Sequence, residues 1–92
     1  MSDKNPKFML GRILATPGAL EVLTPSDIHK GMFRHSCGDW GDLCQEDIQA
    51  NEEALQHGER LLSAYHGQNQ TKFWIITEAD RSATTVLLPS EY

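Results

Sequence analysis

The stretch Lys72–Leu88, KFWIITEADRSATTVLL, decides the fold. It holds two runs of strand length, Lys72–Thr77 (KFWIIT) and Ala83–Leu88 (ATTVLL), rich in β-branched and aromatic residues. The polar connection between them, Glu78–Ser82, has hairpin length. Upstream, Arg60–His66 (RLLSAYH) is a third such run, joined through Gly67–Gln70. Short connections favour antiparallel neighbours, so the spacing predicts a three-stranded antiparallel meander with Lys72–Thr77 in the middle. Alternation separates Leu61, Ser63 and Tyr65 from Leu62, Ala64 and His66, and Phe73, Ile75 and Thr77 from Lys72, Trp74 and Ile76. Both faces are mixed, which predicts a sheet partly covered on both sides.

Working back towards the N-terminus, helical signals replace strand signals. A helix is expected over about Gln45–His57, with Glu46 and Asp47 in its first turn at the positive end of the helix dipole. Gly58 is placed as its C-terminal cap, and Cys44, Ile48, Asn51 and Leu55 form its inward stripe. Before it, Thr24-Pro25-Ser26-Asp27 reads as a capping box opening a helix that carries Ile28, Met32 and Phe33 inward and ends near Arg34 or His35. Thr16-Pro17 opens a short helix ending near Leu23, with Pro at the first helical position, where a missing N–H costs nothing. Lys7–Ala15 (KFMLGRILA) reads as a strand with Phe8, Leu10 and Leu14 on one face, added at a sheet edge. The order is that of an α+β fold: an N-terminal strand, two or three short helices, then the meander. Residues 1–6 are expected to be a flexible N-terminus and residues 7–92 a single domain.

Composition narrows the function classes. The chain has 92 residues, 39% of them hydrophobic and 23% charged, which is ordinary for a globular protein. A domain of this size is stable by only about 5–10 kcal/mol, so few residues can be spared for strained or unpaired groups. The net charge is −5, and Asp39, Asp42, Glu46, Asp47, Glu52, Glu53 and Glu59 occupy a stretch without Lys or Arg. Arg12, Lys30, Arg34, Arg60, Lys72 and Arg81 are scattered, so the basic stripe that binding to a phosphate backbone requires is missing. A local cluster made by folding, such as Arg60, Lys72 and Arg81, stays open. No segment approaches the roughly 20 apolar residues of a membrane span. The polar start MSDKNPKF and the two cysteines, Cys37 and Cys44, lead to the expectation of a cytoplasmic protein with reduced thiols.

Two polar stretches hold the candidate site residues. In His35–Asp42 (HSCGDWGD), His35 is a candidate general acid or base, Asp39 or Asp42 would orient it or hold a cation, and Trp40 offers a stacking surface. The same residues make an ordinary loop if Asp39 and Asp42 accept backbone N–H groups and Trp40 anchors it to the core. His35, Cys37 and Cys44, with His57 or His66, are zinc-competent, but the tight Cys pair of structural zinc sites is absent, and no metal or other cofactor is expected. In Thr77–Thr85 (TEADRSATT), Glu78, Arg81, Thr84 and Thr85 make a solvated hairpin tip, or else Arg81, Thr84 and Thr85 form a phosphate-binding set with Arg60 and His35, Glu78 acting as the partner base. Such a set would suffice for metal-independent RNA cleavage through the 2′-OH, with His35, Arg60, Arg81 and Thr84 as catalytic candidates. The binding candidates are Asp39, Trp40, Asp42, Asn51, Glu78 and Arg81.

GDWGDL (Gly38–Leu43), Asn51 within NEEAL, RLLSAY (Arg60–Tyr65) and WIITEADRSATTVLLPSEY (Trp74–Tyr92) resemble a family of small bacterial proteins often called plasmid-related or hypothetical. The resemblance begins at KFMLGRILATPGAL (Lys7–Leu20) and covers nearly the whole chain. It implies a bacterial, mobile-element-associated cytosolic protein without an established activity. The chain departs from that pattern at Gln68-Asn69-Gln70, where a Gly-containing turn is expected before Thr71-Lys72. In element order and residue types alone, the chain is also similar to barnase-like and RelE-like ribonuclease toxins, although those are usually basic.

The leading expectation is therefore a non-enzymatic accessory protein that binds a macromolecule, a protein in preference to a nucleic acid. The acidic third helix with Trp40 and Trp74 would supply the surface. The alternative is a ribonuclease-like toxin using His35 with Arg60 and Arg81. No membrane partner is expected, and an exposed edge strand fits either a monomer or a homodimer.

Overall fold

The computed structural model describes residues 5–92, so of the expected flexible N-terminus residues 1–4 lie outside the described residues. The elements are β1 (Arg12–Ala15), α1 (Pro17–Val22), α2 (Pro25–Ser36), α3 (Gln45–His57), β2 (Leu61–His66), β3 (Lys72–Thr77), β4 (Ala83–Leu87) and a closing 3-10 turn, Pro89–Glu91. The fold is α+β. Its sheet has the order β1-β4-β3-β2. β2 pairs antiparallel with β3, and β3 with β4, whereas β1 lies parallel to β4 with Ile13 opposite Thr84. The sheet is thus four-stranded and mixed instead of a three-stranded antiparallel one. Nothing like a hairpin constrains β1, because three helices and two strands separate it from β4. That long crossover permits the parallel direction.

β1 is shorter than the expected Lys7–Ala15 strand, and the cause is Gly11. Its φ of +68° turns the chain, and a side chain there would run into the Ser82 carbonyl. Phe8, Leu10 and Leu14 consequently do not share a face. Phe8 stacks near Trp40, Leu10 packs on the main core, and Leu14 is partly exposed on the side of Thr85.

The helices follow their caps. Thr16 accepts from the Ala19 N–H, and Thr24 and Asp27 form a reciprocal capping box, with Pro17 and Pro25 in the first turns. Asp27 also accepts from the Gln68 N–H, tying α2 to the β2–β3 turn. That turn is closed with Gln70 at φ 68°, so a non-glycine residue takes the left-handed position. α3 ends on Gly58 in the left-handed conformation. Its N-cap is Cys44, which is exposed and makes no side-chain cap, so Cys44 does not belong to the inward stripe.

Two apolar clusters form the core. One joins α1 and α2 to the sheet through Ala19, Leu23, Met32, Tyr65, Phe73, Ile75 and Val86. The other joins α3 and the loop after α2 through Trp40, Ala54 and Leu61, with Phe8, Leu43, Ile48 and Leu55 packed against them. Among the described residues no helix is long and apolar enough to cross a membrane.

Candidate functional site

His35 lies in the last turn of α2, not in a loop, and its side chain has 0% exposure. Nδ1 is 2.5 Å from Ser63 Oγ and Nε2 is 2.9 Å from Thr77 Oγ1. Thr77 Oγ1 is 2.7 Å from Thr84 Oγ1, and the Thr84 hydroxyl donates to the Leu10 carbonyl at 2.6 Å. Each hydroxyl has one proton, so the direction of the chain follows from its end. Thr84 spends its proton on Leu10 and must accept from Thr77. Thr77 must then accept from Nε2–H, which leaves Nδ1 to accept from Ser63. The network fixes a neutral imidazole in one tautomer. Burial, with the Arg81 charge as a lesser cause, lowers the His35 pKa to about 3. Phe8 and Trp40 close the ring in edge-on, at 5.2 and 5.7 Å between centroids.

Arg81 and Arg60 do not complete a phosphate site around it. Arg81 sits at φ 62° and turns its guanidinium back on the chain. It donates to the carbonyls of Glu59, Glu78, Ala79 and Ala54, closing the C-terminal end of α3, and lies over the Phe8 ring. Phe8 therefore stands against both Arg81 and His35. Arg60 stands instead beside Glu78 at 3.9 Å and over the Tyr92 ring. Thr84 is fully buried in the histidine network. The convergence of His35, Arg60 and Arg81 on one open pocket, which the ribonuclease alternative requires, is not what the fold builds.

The binding candidates of the 35–42 stretch also have structural work. Trp40 is only 3% exposed and donates to Glu52 at 2.8 Å, so it is an anchor and not an exposed stacking surface. Asp39 receives both Nε and Nη2 of Arg34, at 2.7 and 3.2 Å, which raises the Arg34 pKa, and its main-chain carbonyl accepts from the Tyr65 hydroxyl. Burial pushes the Tyr65 phenol well up from its ordinary value. Asp42 takes part through its backbone: Asp42 N–H donates to the Ala64 carbonyl, and Ala64 N–H to the Trp40 carbonyl. Gly41 makes this approach possible, because a Cβ there would strike Ala64. Asn51 completes the closure by donating to the Leu62 carbonyl at 2.7 Å and accepting from Leu62 N–H at 3.1 Å. The outer edge of β2 is sealed by the chain itself.

The opposite edge is built differently. Arg12 and Thr16 donate from their backbones to Ser82 and Val86 on the β4 side, so by alternation the main-chain groups of Ile13 and Ala15 point outward. None of the described residues takes them up. Beside this edge runs a groove of about 620 Å³ between β1, α1 and α2, lined by Leu10, Ile13, Leu20, Ile28, Met32 and Phe33 among others. Leu20, Ile13 and Phe33 are 62, 51 and 47% exposed. Phe33 is thus outside the core that it was expected to join, because Met32 takes the inward position and is 8% exposed. The periodicity carried a signal for this: α1 and α2 hold more large apolar residues (Leu20, Val22, Ile28, Phe33) than one buried stripe needs.

Among the described residues no three or more His, Cys, Asp or Glu side chains come together as a metal-holding group; the zinc-competent His35 has both ring nitrogens engaged. Comparison with family models, with curated proteins and with solved structures returns no match to this chain.

Proposed function

We propose that this chain is a non-enzymatic binding protein whose docking surface is the open β1 edge with the groove of Ile13, Leu20 and Phe33. One observation carries the reading: of the two edges of the sheet, β2 is sealed at Leu62 and Ala64 by Asn51 and the Trp40–Asp42 segment, while no described residue pairs with the outer side of β1, which lies beside exposed apolar side chains. Exposed edges are normally blunted, and one sided by an apolar groove fits strand addition, in which main-chain bonds give affinity and side-chain pockets give selectivity. The catalytic alternative has little to work with, since His35 is buried, neutral and fully bonded. The acidic face of α3 then steers approach and does not anchor it, because of its two expected aromatic companions Trp40 is inside and Trp74, half-buried, packs edge-on against Tyr92. The place of the protein among small bacterial mobile-element accessories rests on the sequence resemblance alone.

The test is affinity capture with the wild type and with a Leu20→Lys, Phe33→Glu double variant of unchanged melting temperature. The reading expects the variant to lose a protein that the wild type retains, its own second copy included. Identical capture by both contradicts it.

A further inference from the structure

We infer that the occupant of this surface is a second copy of the chain, paired antiparallel through β1 about a two-fold axis at Ile13. This rests on the reading of the β1 edge and groove as the docking surface and names what fills it.

Three observations converge. The outward N–H and C=O of Ile13 belong to one residue, so two Ile13 residues placed opposite each other exchange both bonds, as a hydrogen-bonded antiparallel pair does. A two-fold contact needs such self-complementarity. The result is one continuous eight-stranded sheet with β1 against β1 at its centre.

Side chains agree with that register. Ile13 lines the groove on the helix side, so the two Ile13 side chains meet there, flanked by Leu20 and Phe33 of each copy. On the other face Arg12 falls opposite Leu14 of the second copy, where its aliphatic stem covers a side chain that is 39% exposed. A strand of four residues offers few main-chain bonds, so the apolar surface beside it has to contribute.

Charge favours the same occupant. The chain carries a net charge of −5, yet the residues lining the groove include no Asp, Glu, Lys or Arg. Two copies can close there without bringing carboxylates together, while the acidic α3 packs towards the sealed β2 edge. A basic partner would be drawn to α3 and not to this uncharged patch.

The deciding experiment is sedimentation of the full chain from low micromolar to near-millimolar concentration, with amide hydrogen exchange read at Ile13. The wild type is expected to double its mass as concentration rises, with the Ile13 amide becoming protected over the same range. Ile13→Pro removes the outward N–H while sparing the bonds to β4, and Phe33→Glu alters an exposed helix position. Both are expected to stay monomeric, and Phe33→Glu guards against a folding failure in the proline variant. A wild type that remains monomeric with a rapidly exchanging Ile13 amide overturns the proposal, as does a dimer that neither substitution weakens. If that monomer still loses a captured protein on Leu20→Lys, Phe33→Glu substitution, the second copy is eliminated and the docking surface survives. If capture is unchanged as well, both fall.

Discussion

The Asn51 side-chain amide pairs with the backbone of Leu62 in both directions, donating to its carbonyl at 2.7 Å and accepting from its N–H at 3.1 Å. One side chain of α3 thereby stands in for a neighbouring strand. Beyond it, the Trp40 carbonyl and the Asp42 N–H do the same for Ala64. The contrast with Ile13, at the opposite margin of the same sheet, separates an edge that the chain closes itself from one whose outward groups no described residue takes up.

Asn51→Ala is expected to destabilise the fold by about 1–2 kcal/mol, because two hydrogen bonds to partly buried backbone are lost together. Asn51→Asp removes only the donor and sets a carboxylate against the Leu62 carbonyl, so it is expected to cost at least as much. Urea melts of the three proteins check the order, and hydrogen exchange at the Leu62 amide should accelerate more in Asn51→Ala, which loses its acceptor, than in Asn51→Asp, which keeps it.

His35 makes stability depend on pH in a definite sense. Its folded pKa is lowered to about 3 from the ordinary 6.5, so the unfolded chain takes up the proton first as pH falls. Its contribution is complete above the unfolded value and is lost progressively between 6.5 and about 3. In that window the slope approaches about 1.4 kcal/mol per pH unit from this residue. His35→Phe should cost about 2–4 kcal/mol at neutral pH, since the Ser63 and Thr77 hydroxyls lose their partner, and should flatten this part of the profile. Denaturant melts from pH 7 to pH 4 provide both readings; an unchanged slope in the variant would count against the buried neutral imidazole.

Arg81 combines a side-chain role with a backbone one. Arg81→Ala loses the guanidinium bonds that close α3 and keeps a Cβ at φ 62°. Arg81→Gly loses the same bonds but relieves that conformation. Both variants are expected to be less stable than the wild type by about 1–2 kcal/mol, with glycine the milder by about 0.5–1 kcal/mol. Thermal melts compare them directly.

Much of this architecture was legible in local chemistry. Thr16-Pro17, Thr24 with Asp27, and Gly58 mark helix ends through hydrogen bonds made within a few residues, and the expected Gln45–His57 helix is the observed one. The direction of β1 was not legible, because parallel pairing with β4 is a contact across some seventy residues with no local signature. The same holds for the candidate site. His35, Asp39, Trp40 and Arg81 were singled out as reactive residue types, yet a residue's type does not reveal whether the fold spends it internally. Ser63, Thr77 and Thr84 come from three strands and α2 brings His35 to two of them, so only the folded chain shows that the imidazole is consumed. Phe33 is expected inward with Ile28 and Met32 because apolar residues of a helix usually are, yet it is 47% exposed while Met32 takes the inward position.

The most direct measurement is amide hydrogen exchange at Ile13 beside Leu62 and Ala64, followed as the protein is diluted. Leu62 and Ala64 are expected to stay protected at every concentration, since Asn51 and the Trp40–Asp42 segment of the same chain hold them. Ile13 is expected to be protected when concentrated and to exchange rapidly on dilution. An Ile13 amide that exchanges rapidly at every concentration, alone and with captured protein bound, would contradict the assignment of the β1 edge as the docking surface.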